Sequence, residues 1–399
     1  MNNERNNVPA LRFPGFTNPW EKRKLGEVVT FINGRAYKQD ELLDTGKYPV
    51  LRVGNLYTTN KWYYSNLELP EYNYVNGGDL LYTWSASFGP HIWSGDKSIF
   101  HYHIWKILLK NEINILFLLQ FLAMDATELL STTNGSTMVH ITKKDMEQKK
   151  IQFPSIEEQT KIGEFFKKLD DLIAVNQREG KKLEDLKKAY LDKLFPKGGN
   201  DKPELRFPGF TNPWEKRKLN DISTIYSGGT PSSAKAEYWN GTINWFTPTE
   251  VKNNGYIKNS VRKITKSGLK HSSAVLLPKD SIMMTSRAGI GEMAILNEPA
   301  TTNQGIQSFV LKSNISPYFF YSMQPKISKL ANIVASGSTF TEISGKKLGN
   351  ILLMFTTNKE EQTKIGEFFK KLDDLIAVNQ REGEKLEQLK KAYLKDMFV

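Results

Sequence analysis

The stretch Glu157 to Phe195, EEQTKIGEFFKKLDDLIAVNQREGKKLEDLKKAYLDKLF, occurs twice in this chain. It returns as Glu360 to Phe398 and, aligned without gaps, differs at only Lys181/Glu384, Asp185/Gln388, Asp192/Lys395, Lys193/Asp396 and Leu194/Met397. A repeat so close in sequence and so far apart along the chain marks a duplicated structural unit. Residues one heptad apart form a column, Ile162, Leu169, Asn176, Leu183 and Tyr190, and a second column, Phe165, Leu172, Glu179 and Leu186, runs three residues further on. Together they read as the a and d positions of a coiled coil sustained for about five heptads. The second copy carries the first column as Ile365, Leu372, Asn379, Leu386 and Tyr393. At ~1.5 Å per residue such a rod is about 58 Å long.

Ser155-x-x-Glu158 reads as a capping box that starts the first helix, and Pro196 with the glycines after it as the stop. Glu164/Lys168 and Glu184/Lys188 are favourable pairs one turn apart. Asparagine at an a position weakens a seam but fixes its register, and Gly180 and Gly383 fall mid-rod, where a bend is expected. Near-identity of seams and charges favours pairing of the two copies with each other. The alternative is that each copy packs on its own neighbouring domain.

A second repeat brackets the first. Pro9 to Leu25, PALRFPGFTNPWEKRKL, returns as Pro203 to Leu219 with the single change Ala10/Glu204. The chain thus divides into a first domain over 1–154 with its lead-in at 9–25, a helix over 155–196 and a linker over 197–202. A second domain follows over 203–357 with its lead-in at 203–219, then a helix over 358–399. Joined tail to head the pattern is circular, which implies a pseudo-two-fold body. Between lead-in and helix the two bodies share placement but little sequence. Gly135 to Ile141 aligns with Gly337 to Ile343, and Asp79, six before Ser85, with Asp280, six before Ser286. Asp79–Trp84, His101–Leu109, Ser281–Thr285 and Ser308–Leu311 read as strands, and Ile115–Leu130 and Pro317–Leu330 as helices. The expected fold class is α+β, with two mixed α/β domains joined by a pair of long antiparallel coiled-coil helices. A duplicated frame around diverged bodies suits two equivalent readers of different things.

Net charge is +12, from 55 basic and 43 acidic residues, which favours a polyanionic partner. Cysteine is absent, so disulfides and Cys-ligated zinc are excluded. MNNERNN is no signal peptide, and the longest apolar run, Ile115 to Met124 broken by Gln120, is too short to span a bilayer. A cytoplasmic protein without membrane attachment is expected.

For a duplex DNA partner the bodies should offer basic and amide side chains for base edges and hydroxyls for phosphates. The first body supplies Arg35, Tyr37, Lys38, Arg52, Asn55, Trp84, Ser85, Ser87, His91, Ser136 and Thr137. The second supplies Thr230, Ser232, Thr247, Thr249, Arg287, Asn303, Gln304, Ser338 and Thr339. Enzyme signatures are missing. There is no GxxxxGK[ST], and Gly289-Ile-Gly291 is a lone GxG that reads as a turn. Asn18-Pro-Trp20 and Asn212-Pro-Trp214 resemble the adenine-methyltransferase Asn-Pro-Pro-Tyr/Phe motif only superficially. His101 and His103 would share a strand face, but no HExxH or carboxylate cluster accompanies them, so structural histidines are the better reading. Asp170-Asp171 and Asp373-Asp374 read as a solvated helix face. No catalytic or metal site is expected.

Phe153-Pro154, Glu158-Gln159 and Ile162 leading into the helix, Leu169-Asp170 and Ile173 within it, and Leu191 and Leu194-Phe195 closing it resemble the specificity (S) subunits of type I restriction-modification enzymes. Trp84 to Gly89 and Thr302-Asn303-Gln304 also look like segments of that family's target-recognition domains. The resemblance covers almost the whole chain and rests on architecture more than on any one motif. It implies two target-recognition domains, each reading one half of a split duplex DNA site, with the helices as a ruler between them. It implies assembly with two methyltransferase (M) subunits that bind S-adenosylmethionine and two restriction (R) subunits that use ATP and Mg, and no cofactor or catalysis in this chain. One departure is Phe355-Thr356 and an extra residue before Glu360, where Thr357-x-x-Glu360 is the expected cap. The rival reading is a two-headed protein-interaction scaffold without DNA specificity, since tyrosine, tryptophan and arginine also mark protein hot spots. An autonomous nuclease or methyltransferase is the least supported.

Overall fold

A computed structural model describes residues 8–398 except 86, 111, 133–140, 254, 288 and 336–341. The chain forms two compact units, residues 1–177 with 382–399, and residues 178–381. Each long helix, Ile156–Lys193 and Lys359–Met397, therefore gives one half to each unit.

In the first unit, lead-in strand β1 (Glu21–Lys24) pairs antiparallel with β10 (Lys150–Phe153), Glu21 opposite Phe153, so the two ends of the body are stitched together just before the helix begins. The body holds two sheets. One is ordered β2 (Val29–Asn33), β9 (Ile104–Leu109), β6 (Leu80–Ser85), β7 (Ser87–Ile92); the other is β4 (Tyr63–Ser65), β3 (Tyr48–Leu51), β8 (Ser98–Phe100), β5 (Tyr74–Val75). Phe31, Tyr82 and Trp105 from the first sheet, Phe117 and Leu118 from the helix Ile115–Thr132, and Trp20 from the lead-in share one core with Ile162 and Phe166. Met397 and Phe398 from the end of the second long helix complete it. Arg12 makes a bidentate pair with the fully buried Glu158, at 2.6 and 2.8 Å.

The second unit repeats this plan. β11 (Glu215–Lys218) pairs with β20 (Leu352–Phe355), Glu215 opposite Phe355, and Arg206 grips the buried Glu361 at 2.6 and 2.9 Å. One sheet is ordered β12 (Ser223–Ser227), β19 (Ile306–Leu311), β16 (Ile282–Thr285), β17 (Met293–Leu296), β14 (Tyr256–Ile257). The other is β15 (Arg262–Ile264), β13 (Trp239–Phe246), β18 (Thr301–Thr302). The core joins Trp214, Ile282, Phe309 and Phe319 to Ile365 and Phe369, and to Leu194 and Phe195 at the end of the first long helix. The helix expected over Pro317–Leu330 is two, Pro317–Ser322 and Gln324–Ala335, broken at Met323.

Within each unit the helix halves pair antiparallel. Phe165 meets Tyr393 edge-on at 5.0 Å and Lys390 pairs with Asp170 at 2.5 Å in the first; Tyr190 meets Phe368 at 4.8 Å and Lys187 pairs with Asp373 at 2.6 Å in the second. Ile162, Leu169, Ile365 and Leu372 are buried in the seam, and Asn176, Leu183, Tyr190, Leu386 and Tyr393 are half-buried. In the second column Phe165 packs across the seam as expected, but the positions after it differ. Leu172 is 55% exposed and Glu179 and Leu186 face solvent, whereas Phe166, Ile173, Gly180 and Lys187, one residue further on, line the seam. Both long helices run uninterrupted through their glycines. A Cβ on Gly180 would lie 2.5 Å from Asn379 Oδ1, and one on Gly383 2.6 Å from Asn176 Oδ1. The glycines admit the asparagines of the opposing helix, which is a packing role in place of the expected bend.

Three further expectations are corrected. Glu158 N–H reaches Ser155 Oγ at 3.4 Å, but the Glu158 carboxylate is taken by Arg12, so the reciprocal half of the capping box is replaced by an ion pair. In the second copy Asn358, not Thr357, is the cap, its Oδ1 accepting from Glu361 N–H at 3.0 Å. Asp170 and Asp373 are seam ion pairs, while Asp171 and Asp374 hold Lys167 and Lys370 on the surface.

Candidate nucleic-acid interface

Four loops meet at one end of each body, and backbone hydrogen bonds put them in the same register in both. After β2, Gly34 N–H bonds Ile104 O and Arg35 N–H bonds Phe100 O; after β12, Gly228 N–H bonds Ile306 O and Gly229 N–H bonds Thr302 O. After β3, Asn55 Oδ1 accepts from Arg52 N–H at 3.1 Å; after β13, Glu250 Oε2 accepts from Thr247 N–H at 2.8 Å. At the hairpin, Trp84 N–H bonds His103 O and Ser286 N–H bonds Gly305 O. Thr83 Oγ1 donates to Gly89 O and Thr285 Oγ1 to Gly289 O. This register equates Arg52 with Thr247, Trp84 with Ser286, Ser85 with Arg287, and His101-Tyr102-His103 with Asn303-Gln304-Gly305. Matching Ser85 to Ser286 and Asp79 to Asp280 by composition was therefore one residue out.

In the first domain the surface is aromatic and cationic. Arg52 lies over the Tyr63 ring at 4.3 Å, and one of its terminal N–H groups, with Asn55 Nδ2, bonds Lys61 O. Trp84 stacks on Trp105, meets His103 edge-on at 5.1 Å and donates from Nε1 to Tyr102 O at 3.0 Å. His91 Nε2 is 2.7 Å from Tyr57 Oη, which also bonds Thr83 Oγ1. The Arg35 guanidinium is held bidentately by Glu41 at 2.7 and 3.0 Å, and Tyr37 Oη donates to Phe100 O. Lys38 is exposed; Ser85 and Ser87 are half-buried where β6 turns into β7. Burial, helped by neighbouring His103 and Arg52, pushes the His101 imidazole down to about 4, and burial also lowers His91. His101 is thus a neutral hydrogen-bonding group at pH 7, not a phosphate-binding cation. It forms an isolated bridge with Arg35 just after β8, and His103 lies in the turn before β9, so the two do not share a strand face.

The second domain presents amides and hydroxyls at the same places. Asn303 Nδ2 donates to Thr230 Oγ1 at 3.1 Å, and the Thr230 hydroxyl donates to Gln304 Oε1. Thr247 and Thr249 hydroxyls are 3.0 Å apart. A Cβ on Gly305 would fall 2.9 Å from Pro248 Cγ and 3.1 Å from Arg287 Nε, so three loops close on that glycine. Ser232 stands apart: it is exposed, and its carbonyl accepts from Trp239 Nε1. Ser136, Thr137, Ser338 and Thr339 lie outside the described residues. Sequence reasoning passed over His101, Tyr102 and His103 as interface residues; counting back from Ile104 and Ile306 would have set them against Asn303-Gln304-Gly305. Among the described residues no group of three or more His, Asp or Glu is arranged to hold a metal ion, and no helix is long and apolar enough to cross a membrane.

The chain matches the family model described as the type I restriction modification DNA specificity domain over residues 17–185 and 211–388. It is 36% identical over 190 residues to the type I restriction enzyme MjaIX specificity subunit of Methanocaldococcus jannaschii, an alignment covering 47% of this chain and 44% of that relative, less than half its length. Over 402 residues it is 27% identical to the MjaVIII specificity subunit of the same organism, covering 96% and 92%. Its fold is similar to the crystal structure of a type I restriction-modification system S subunit from M. genitalium, with TM-score 0.67 and 16% identity over 98% and 99% of the two chains. With two matches to one DNA specificity domain, in the two halves where the structure builds the same body twice, the chain belongs to the family of type I restriction-modification specificity subunits.

Proposed function

We propose that this chain is the DNA-reading subunit of a type I restriction-modification system, each domain recognising one half of a bipartite duplex site. The observation that carries this reading is the shared register of the four loops: one scaffold, used twice, presents an aromatic and cationic surface in one domain and an amide and hydroxyl surface in the other. Groups of both kinds contact base edges, and hydroxyls and lysines contact phosphates. The chain itself catalyses nothing in this reading. Methylation is performed by two M subunits holding S-adenosylmethionine, and cleavage by two R subunits using ATP and Mg. In each unit the helix halves leave apolar side chains exposed, Leu172, Val175 and Leu389 in the first and Leu186, Leu375 and Val378 in the second, and exposed apolar side chains of this kind suit docking of such partner subunits.

The test is a methylation map of DNA from cells expressing this chain with its M subunit, against cells with the M subunit alone. The expected result is a new methylated adenine in a split motif, two short defined halves around a fixed gap. A map unchanged by the chain, with the M subunit shown active beside another S subunit, would overturn the reading in favour of a protein scaffold.

A further inference from the structure

Gln304 is exposed at the tip of the turn between β18 and β19, and its amide does not turn freely. The constraint starts from the backbone. Gly305 N–H, a donor in any arrangement, bonds Asn303 Oδ1 at 2.8 Å, which settles the Asn303 amide with its nitrogen directed away. That nitrogen donates to Thr230 Oγ1 at 3.1 Å. Thr230 receives a proton there and has one of its own to give, which goes to Gln304 Oε1. The chain is one-directional, from Gly305 N–H through Asn303 and Thr230 to Gln304, and it leaves Gln304 Nε2 as the outward donor with a second lone pair of Oε1 beside it.

The loops that build this chain are held tightly. Asn303 N–H bonds Phe246 O at 2.8 Å, and Gly229 N–H bonds Thr302 O at 2.8 Å. A side chain on Gly228 would collide with the Asn303 carbonyl, which accounts for glycine there. In the first domain the corresponding positions, Ala36 for Thr230, His101 for Asn303 and Tyr102 for Gln304, carry no such chain.

We propose that Thr230 is a positioning residue for Gln304, and that the oriented Gln304 amide reads one adenine of the second domain's half-site. A donor and an acceptor side by side, in fixed order, match adenine N7 and N6–H₂ in the major groove and mismatch the acceptor pair of guanine. This rests on the bipartite-reader function proposed above.

The experiment is the same methylation map, with full-length chain and its M subunit, for Thr230→Val, Thr230→Ser and Gln304→Glu. Thr230→Val keeps the shape and removes the hydroxyl; it should make one adenine position of one half-site degenerate, by about tenfold or more in relative use of the wrong base, with the other half-site unchanged. Thr230→Ser should restore the parent motif, which a merely space-filling role for Thr230 does not require. Gln304→Glu replaces the donor by an acceptor and should abolish or reassign that same position. The proposal is overturned if Thr230→Val and Gln304→Glu both give the parent motif, or if both half-sites degrade together. If the parent chain yields no split motif at all, it is the reader function that fails.

Discussion

Removing the buried carboxylate at the start of a long helix should loosen one domain by an amount that its partners set. Glu158 is fully buried and holds Arg12 with two hydrogen bonds, while Arg12 also bonds Asn18 O at 2.6 Å. This contact pins the lead-in, and with it Trp20, to the first turn of the helix. Glu158→Ala leaves the Arg12 guanidinium, only 12% exposed, without its counter-charge, a change that costs about 3–5 kcal/mol for buried pairs. Glu361→Ala does the same to Arg206 and also strips the acceptor from the buried Thr356 hydroxyl, which donates to Glu361 at 2.6 Å. An orphaned buried hydroxyl adds about 1–3 kcal/mol, so the second substitution should be the worse. Arg12→Ala/Glu158→Ala, which removes the unpaired charge together with its partner, should recover part of the loss. The assay is urea unfolding of the full chain, with hydrogen exchange to assign the loss to the first or the second domain. Urea is preferred because guanidinium would itself screen the pair. A loss below about 1 kcal/mol for Glu158→Ala, the range of a surface ion pair, or a double variant no more stable than the single one, would refute the argument.

Three further outcomes are expected. One heptad inserted into both long helices, in seam register, adds about 10.5 Å of helix and should widen the gap of the methylated motif by roughly 3 bp; an unchanged gap refutes the ruler role. The fold holds His101 at about 4, below an ordinary histidine near 6.5, so its neutral form is favoured in the native state. That contribution is present above pH ~6.5 and is lost as pH falls toward 4; His101→Asn should reduce acid destabilisation of the first domain in urea titrations at pH 7 and 4.5, and an equal acid loss in the variant refutes it. Gly180→Ala gains about 1 kcal/mol of helix propensity but drives a Cβ into Asn379 Oδ1, an overpacking cost of about 1–3 kcal/mol. It should lower the melting temperature, and adding Asn379→Ala should raise it above the single variant; no rescue refutes the Gly–Asn contact.

The duplicated frame was readable from sequence because its evidence is repetition, which needs no energetics. The element types within the bodies were readable too, since strands such as Leu80–Ser85 carry their own apolar and aromatic runs. The seam was half readable. Ile162, Leu169 and Asn176 are seam positions, but the column chosen beside them was the leucine-bearing Leu172 and Leu186, when the residues packed in the pair are Ile173, Gly180 and Lys187. Hydrophobicity reports that a face is to be covered, not by what: glycine and a salt-bridged lysine suit a close helix pair, and the leucines remain exposed. The interface was harder still. Arg35 was selected by type, yet its guanidinium is occupied by Glu41, while Tyr102 and His103 were passed over because a loop's chemistry depends on strand register that composition does not carry.

The reciprocal fit of Asn176 over Gly383 and Asn379 over Gly180 bears on how the chain folds as well as on how it stands. Heptad seams tolerate slippage, because every seventh residue looks alike. Here a slip of one heptad would set Asn176 against Ile376 or Lys390, burying an amide under a branched hydrocarbon or crowding it with an ammonium, while Gly383 faced a void. A misaligned helix pair is thereby penalised twice, once per asparagine. Two small residues and two amides thus select one register of the helix halves within each unit.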